Sequence, residues 1–367
     1  MQYNKSLDGL RAAAVFIVML AHIGSPYPRS GGLGVDIFFV LSGFLITTIL
    51  SSELRQWGSI SYSDFYIRRI LRLAPCLLAV CFCTWMAYYL HGSPTPDGPV
   101  LMSLTYVSNW SRAVYNYDLG LLNHTWSLAI EEQFYLVWPL VVVALERTSS
   151  SFVSKAKVLF VCALTVATYR FFMVETYDVS RIYFGLDTHM DGLVMGASLS
   201  YFILHCRYAI IPQANLLKFI SYVMVPATLV GLAVMIYYIT WTSPYMGYFG
   251  FLVAALGAAI VVLDLNLSTF SLLKPIFENR LLAYLGKISY GLYLWHILVY
   301  ASVNQLFPEY SAFGVKEMLI KFSLSIAVAS MSYHLFEAKI LKLKKYFSRG
   351  YREAKQADLQ IDLTSGR

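Results

Sequence analysis

The chain has 367 residues, 58% of them hydrophobic and only 13% charged, with a formal net charge of +7. Soluble domains hold about 25% charged residues, so this composition excludes an ordinary soluble globular protein and indicates an integral membrane protein. The basic excess falls mainly in loops expected on one side of the membrane, so it is read as a topological signal and not as nucleic-acid binding.

Apolar stretches long enough to cross ~30 Å of hydrocarbon recur from end to end. Ten spans are expected, at 8–24, 33–51, 75–90, 125–145, 158–174, 186–205, 219–239, 247–264, 282–305 and 317–337. A shorter apolar stretch, Leu101–Trp110, is better read as interfacial, because it ends in Ser108, Asn109 and Trp110. The fold class is therefore all-α, a polytopic transmembrane bundle.

With ten spans and the N-terminus inside, one set of loops carries Lys5, Arg55, Arg68, Arg69, Arg72, Arg147, Lys155, Lys157, Arg207, Lys218, Lys274 and Arg280, together with the basic tail. The other set carries Arg29, Arg112, Arg181 and Lys316. This asymmetry places both termini in the cytoplasm. The N-terminal lysine and apolar run resemble a signal peptide, but Asp8 and Arg11 within the run, and the spans after it, favour an uncleaved first helix. One membrane domain is expected over 1–337. A basic cytoplasmic tail, 338–367, follows as a lipid-surface anchor, with no soluble catalytic domain at either end. All five cysteines lie in or beside expected spans, so no disulfide framework is implied.

The first helix carries the most informative residues. Asp8, Arg11, Val15, Met19 and His22 are spaced by three or four, so they share one face. Arg11 and His22 are about 16 Å apart along the axis at 1.5 Å per residue. Ionisable groups in a span are a functional-site hypothesis by default. The competing reading places Asp8 and Arg11 at the water interface and leaves His22 as a hydrogen-bonded core residue.

Other polar residues fall at the outer level of His22. Asp36 lies about one turn below the outer start of the second span. Glu131, Glu132 and Tyr135 follow Trp126-Ser127, Arg170 is near the outer end of the fifth span, and Asp187, His189 and Asp191 open the sixth. His296, beside Trp295, is nearer mid-depth. Asp187, His189 and Asp191 span a full helical turn and diverge, so no metal is expected there. At the inner side, Arg68 or Arg69 shares a face with Arg72; guanidinium forks suit phosphate oxygens. A plain positive-inside anchor is the alternative.

Five motifs taken together resemble acyltransferase family 3 across nearly the whole chain. They are Leu7-Asp8-Gly9-Leu10-Arg11 with His22, Gly34 to Phe44, Phe65 to Pro75 with Arg68, Arg69 and Arg72, Thr125 to Tyr135, and Gly286 to His296. The resemblance implies a polytopic inner-membrane enzyme that O-acylates, usually O-acetylates, surface polysaccharides, antibiotics or lipo-oligosaccharides, with an acyl-coenzyme A donor. It makes His22 the catalytic base and Arg11 its essential partner, and it places Arg68, Arg69 and Arg72 in the coenzyme-binding motif. Acetyl-CoA is then the co-substrate. Some members carry an extra outer hydrolase-like domain. Without one, this chain is similar in size to the rhizobial branch that acetylates lipo-chitooligosaccharide nodulation factors, although no motif encodes that acceptor.

The expected mechanism docks coenzyme phosphates at Arg68, Arg69 and Arg72, with Arg11 further along the path and the thioester carried toward His22. Neutral His22 takes the proton of a sugar hydroxyl, with its tautomer fixed by Asp36, Glu131 or Glu132. Ser127 or His22 as an acyl carrier is a variant. A proton-coupled transporter or glycolipid flippase is the rival class; it gives the inner arginines no role.

Overall fold

The computed structural model describes residues 3–24, 31–148, 151–208, 213–310 and 313–349. Arg29, Arg352 and Lys355, which enter the charge reading above, lie outside the described residues. The described residues are overwhelmingly helical, and none forms a strand.

The chain opens with α1 (Lys5–His22), whose N-cap Asn4 accepts from the Ser6 N–H at 3.1 Å. α2 (Gly32–Trp57) ends at Gly58, which adopts a left-handed φ of 68° and closes the helix onto the Leu54 carbonyl. α3 (Tyr62–Leu90) tolerates Pro75 within it. Two eight-residue helices follow, α4 (Asp97–Leu104) and α5 (Ser108–Tyr115). They divide the stretch Leu101–Trp110, and at about 12 Å each neither could cross a bilayer.

A tight turn, Gly120–Thr125, leads into α6 (Trp126–Arg147). α7 (Phe152–Met173), the short α8 (Val179–Phe184) and α9 (Leu186–His189), and α10 (Asp191–Tyr208) come next. Beyond them lie α11 (Ala214–Phe219), α12 (Val225–Tyr238), α13 (Phe251–Leu267), α14 (Lys274–Phe277) and α15 (Arg280–Lys287). The last elements are α16 (Ser289–Leu306), α17 (Val315–Ser332) and α18 (Ala338–Leu341).

Seven helical stretches are long and apolar enough to cross a membrane: 32–57, 62–90, 120–147, 152–173, 214–238, 246–267 and 315–347. The chain is a multi-pass membrane protein. The other three expected spans, 8–24, 186–205 and 282–305, are not among these seven; they fall mainly on the 18-residue helices α1, α10 and α16, the second and third also taking in α9 and part of α15. These three are mostly buried by the rest of the bundle, which is why they carry Arg11, Asp191, His296 and other polar residues that lipid-facing helices avoid.

Close packing of the centre depends on small residues. α10 lies along α2, where a Cβ on Gly43 would stand 1.8 Å from the Leu193 carbonyl oxygen and one on Gly196 would stand 2.0 Å from that of Val40. α1 packs along α2 and α15, and α16 along α17 and α3. The start of the expected tail is not a free anchor: residues 342–347 pack on α3, and Arg349 donates to the Ser59 carbonyl at 3.1 Å.

Candidate active site

His22 ends α1 and keeps an exposed surface, while the side chains it meets are buried. Its Nδ1 lies 3.0 Å from the Val18 carbonyl oxygen and 3.2 Å from Nε2 of His296 on α16. His296 is fully buried, and its own Nδ1 is 2.6 Å from the Tyr293 carbonyl and 3.2 Å from that of Leu292. Carbonyl oxygens only accept, so both Nδ1 atoms carry the proton. His296 Nε2 is then a lone pair that accepts from His22, and His22 Nε2 is a second lone pair. Among the described residues His22 Nε2 has no hydrogen-bond partner, which is the state a general base needs.

His124 completes a histidine cluster. Its ring is 5.4 Å from those of His296 and Tyr293, and it is only 3% exposed. Tyr293 Oη donates to the His124 carbonyl at 2.7 Å and pairs with Ser127 Oγ at 2.6 Å. Ser127 therefore braces α16 against α6, and among the described residues its hydroxyl meets Tyr293 and the His124 carbonyl, neither of which is a base.

Sequence reasoning missed His124 and Arg112. Arg112 on α5 donates to the Asn123 carbonyl at 3.2 Å, stands 4.0 Å over the Phe184 ring, and is close enough for its charge to act on His22 and Tyr293. Asn123 is itself held by Asp118, whose carboxyl is kept below the usual carboxylate range by the Asn123 amide and the Gly120 N–H. The only signal for His124 was its place just before the Trp126-Ser127 motif.

The expected single outer layer of acids and bases divides into separate sets. Asp36 accepts from or shares a proton with His189 Nε2 at 2.8 Å, and His189 Nδ1–H donates to the Tyr183 carbonyl at 2.7 Å. Trp126 stacks on His189 with ring centroids 5.7 Å apart. Arg170 pairs with Asp191 at 2.8 Å and donates to the carbonyls of Gly247 and Thr188 at 2.9 and 2.7 Å. Glu131 accepts from Ser42 at 3.0 Å, and Glu132 from Arg69 at 3.2 Å.

Among the described residues Asp36, Glu131 and Glu132 turn to other partners and none of them meets the His22 ring, whose Nδ1 lies against the Val18 carbonyl and His296. Asp187, His189 and Asp191 likewise go to three different partners, Arg181, Asp36 and Arg170. Among the described residues no group of three His, Cys, Asp or Glu side chains converges as a metal site would.

The basic end of the bundle gathers cations from three places in the sequence. Arg11 pairs with Asp8 at 2.9 Å, and the Tyr3 hydroxyl donates to the same carboxylate at 2.5 Å. Arg69 pairs with Glu132 and lies 3.4 Å over the Tyr135 ring. Arg68 pairs with Glu53 at 3.2 Å and donates to the Phe347 carbonyl. Arg72 is exposed, has no ion pair among the described residues, and feels the charges of Arg11 and Arg69. Lys344 joins Arg68, Arg69 and Arg72 in the same electrostatic neighbourhood. Like charges so placed repel unless an anion sits among them. Beside them a crevice of about 210 Å³, lined by Arg69, Leu73, Leu77, Leu104, Tyr106 and Glu132, opens between α3, α4 and α6.

The profile of the acyltransferase domain family matches residues 4–334. The chain belongs to that family. As a member of the acyltransferase family it resembles, over 93% of its length, several Staphylococcus aureus proteins. One from strain MSSA476, provisionally named an O-acetyltransferase, is 31% identical over 356 residues. The O-acetyltransferase OatA of strain NCTC 8325 / PS 47 is 30% identical over 357 residues. The acyltransferase-family chain spans 58% of the length of each of these relatives. No solved structure matches it.

Proposed function

We propose that this acyltransferase is an O-acetyltransferase of the bacterial inner membrane that moves an acetyl group from acetyl-CoA to a sugar hydroxyl of a glycan or lipo-oligosaccharide. The observation that carries the reading is one helix with two chemically different ends. α1 presents an unengaged imidazole nitrogen at His22 and, about 16 Å away along the axis, Arg11 beside the cation cluster. The names of the relatives, which specify O-acetyl transfer, support the reaction class.

The residues divide the work as follows. The basic end faces the cytoplasm, as the loop charges imply. Arg72, with Lys344 and Arg11, holds the coenzyme phosphates, and Arg68 and Arg69 shape that mouth from their own ion pairs. The slender thioester arm follows the α1 face. His22 Nε2 removes the acceptor hydroxyl proton as that oxygen bonds to the thioester carbonyl carbon. The carbon–sulfur bond then breaks, and the proton passes from His22 to the departing thiolate. General-base help of this kind contributes about 10²–10⁴-fold. Residues 1–337 act as one membrane domain, and the segment after 338 reaches back to the coenzyme mouth through Lys344.

The test is to purify the full chain in lipid nanodiscs and supply acetyl-CoA with a chito-oligosaccharide, its N-acylated form or a surface polysaccharide. Expected are free coenzyme thiol and a glycan heavier by one acetyl group, both abolished in His22→Ala. Movement of a glycolipid between leaflets without thiol release would replace this reading with a flippase.

A further inference from the structure

We infer that His296 is the positioning residue that holds His22 in its working tautomer, in the place where an acyl-transfer base commonly has a carboxylate. This rests on the reading of His22 as the general base.

Val18 alone cannot hold the ring, because a single helical carbonyl contact leaves the imidazole free to turn and offer either nitrogen. His296 adds a second acceptor, 3.2 Å from the same Nδ1, with the two rings 5.1 Å apart and inclined at 49°. His296 cannot turn in its own right. Its Nδ1–H is committed to two carbonyls, and its ring is walled by His124, Tyr293 and Tyr300 at 5.4, 5.9 and 5.7 Å. Tyr293 is in turn anchored to the turn before α6 through the His124 carbonyl and Ser127. The chain of constraint runs from α6 through α16 to the end of α1, and the bonds made by the two Nδ1–H groups to carbonyl oxygens have one chemically allowed direction.

A neutral acceptor suits this site better than a carboxylate. A carboxylate beside His22 would favour the imidazolium in the resting enzyme and fill the lone pair the reaction needs. His296 orients the ring without supplying that charge. When Nε2 takes the acceptor proton, the His296 lone pair and the Val18 carbonyl stabilise the imidazolium that forms, and His296 itself gains and loses no proton.

The test uses membrane vesicles from cells carrying the full chain, which bring their own acceptor, supplied with radiolabelled acetyl-CoA and assayed by label incorporated into glycan. His296→Gln keeps an accepting oxygen, and His296→Leu keeps volume without one. Expected is a kcat loss of at least tenfold in the Leu variant with the KM for acetyl-CoA unchanged, partial recovery in the Gln variant, and an acid limb of the pH–rate profile moved to lower pH in the Leu variant. Equal rates and unmoved pH profiles in the two variants, at equal amounts of folded protein, would overturn the inference while His22→Ala stayed inactive. An active His22→Ala would instead remove the reading on which the inference rests.

Discussion

Arg170 and Asp191 meet 2.8 Å apart with the guanidinium fully buried and the carboxylate 1% exposed. Three helices and a turn converge on this pair, since Arg170 on α7 also holds the carbonyls of Thr188 and Gly247. The pair fixes how α7 docks on α10 beside the Asp36–His189 couple, and nothing places it against His22. Removing one partner of a buried pair leaves an uncompensated charge, at a cost of about 3–5 kcal/mol. Arg170→Ala or Asp191→Ala is expected to cut the folded protein in membranes severely. The double change Arg170→Met with Asp191→Leu restores much of it, with normal activity per folded molecule. Fluorescence-detected size exclusion beside the acetyl-transfer assay measures both quantities.

Gly286 lets α15 press against α1. A Cβ there would stand 1.7 Å from the Asp8 carbonyl oxygen, a backbone atom that no rotamer change moves aside. Gly286→Ala is expected to cost about 1–3 kcal/mol or more through overpacking, and to displace Asp8 and Arg11 at the coenzyme mouth. A lower thermal midpoint together with a raised KM for acetyl-CoA is the expected result.

The arginines of the motif differ in what their loss leaves behind. Arg72→Ala strands no carboxylate among the described residues, so the variant is expected to fold normally and, on the proposed reading, to lose one charged contact to the donor, about 1.5–3 kcal/mol, or roughly 10- to 150-fold in donor affinity. Arg69→Ala leaves Glu132 half-buried without its partner and lowers stability as well. Donor titration against thermal unfolding separates the two effects.

Ser127→Ala removes a bond to Tyr293 and nothing that a nucleophile requires. The rate is expected to fall less than tenfold, consistent with loss of one supporting hydrogen bond worth about 1 kcal/mol. Inactivity with normal folding, or labelled acetyl trapped on the protein, would point to a covalent route.

In the proposed reaction, protonation of His22 would fill the lone pair that is to accept the hydroxyl proton, so the rate is expected to fall with falling pH. With one base the acid limb drops about tenfold per pH unit. A limb of steeper slope in the wild-type pH–rate profile would bring a second titrating group into the step.

Much of the molecule was legible along the chain because lipid imposes a simple rule. Apolar length marked the membrane helices, and the spacing of Asp8, Arg11 and His22 marked one face of α1. The motifs that resembled acyltransferase family 3 agreed with the family match over residues 4–334. The same rule blurred α1, α10 and α16, since a helix shielded by its neighbours is released from the need to be apolar. Chain position suggests a depth for Arg170, His189 and Asp191, yet depth does not say which way a side chain turns.

Pairing was the part that only the fold could decide. Asp36 lies 14 positions from His22, and it pairs with His189, while His22 finds its partner 274 residues away in His296. Lys344 reaches Arg72 from the far end of the described chain, and no local pattern marks it. Sequence by itself determined that the chain is helical and apolar enough to cross a membrane and which residues share a helix face, because hydrophobic length and helical period are local properties. The tertiary structure decided which partners those residues meet, His296 for His22 and His189 for Asp36, because such contacts are made between helices distant in the chain.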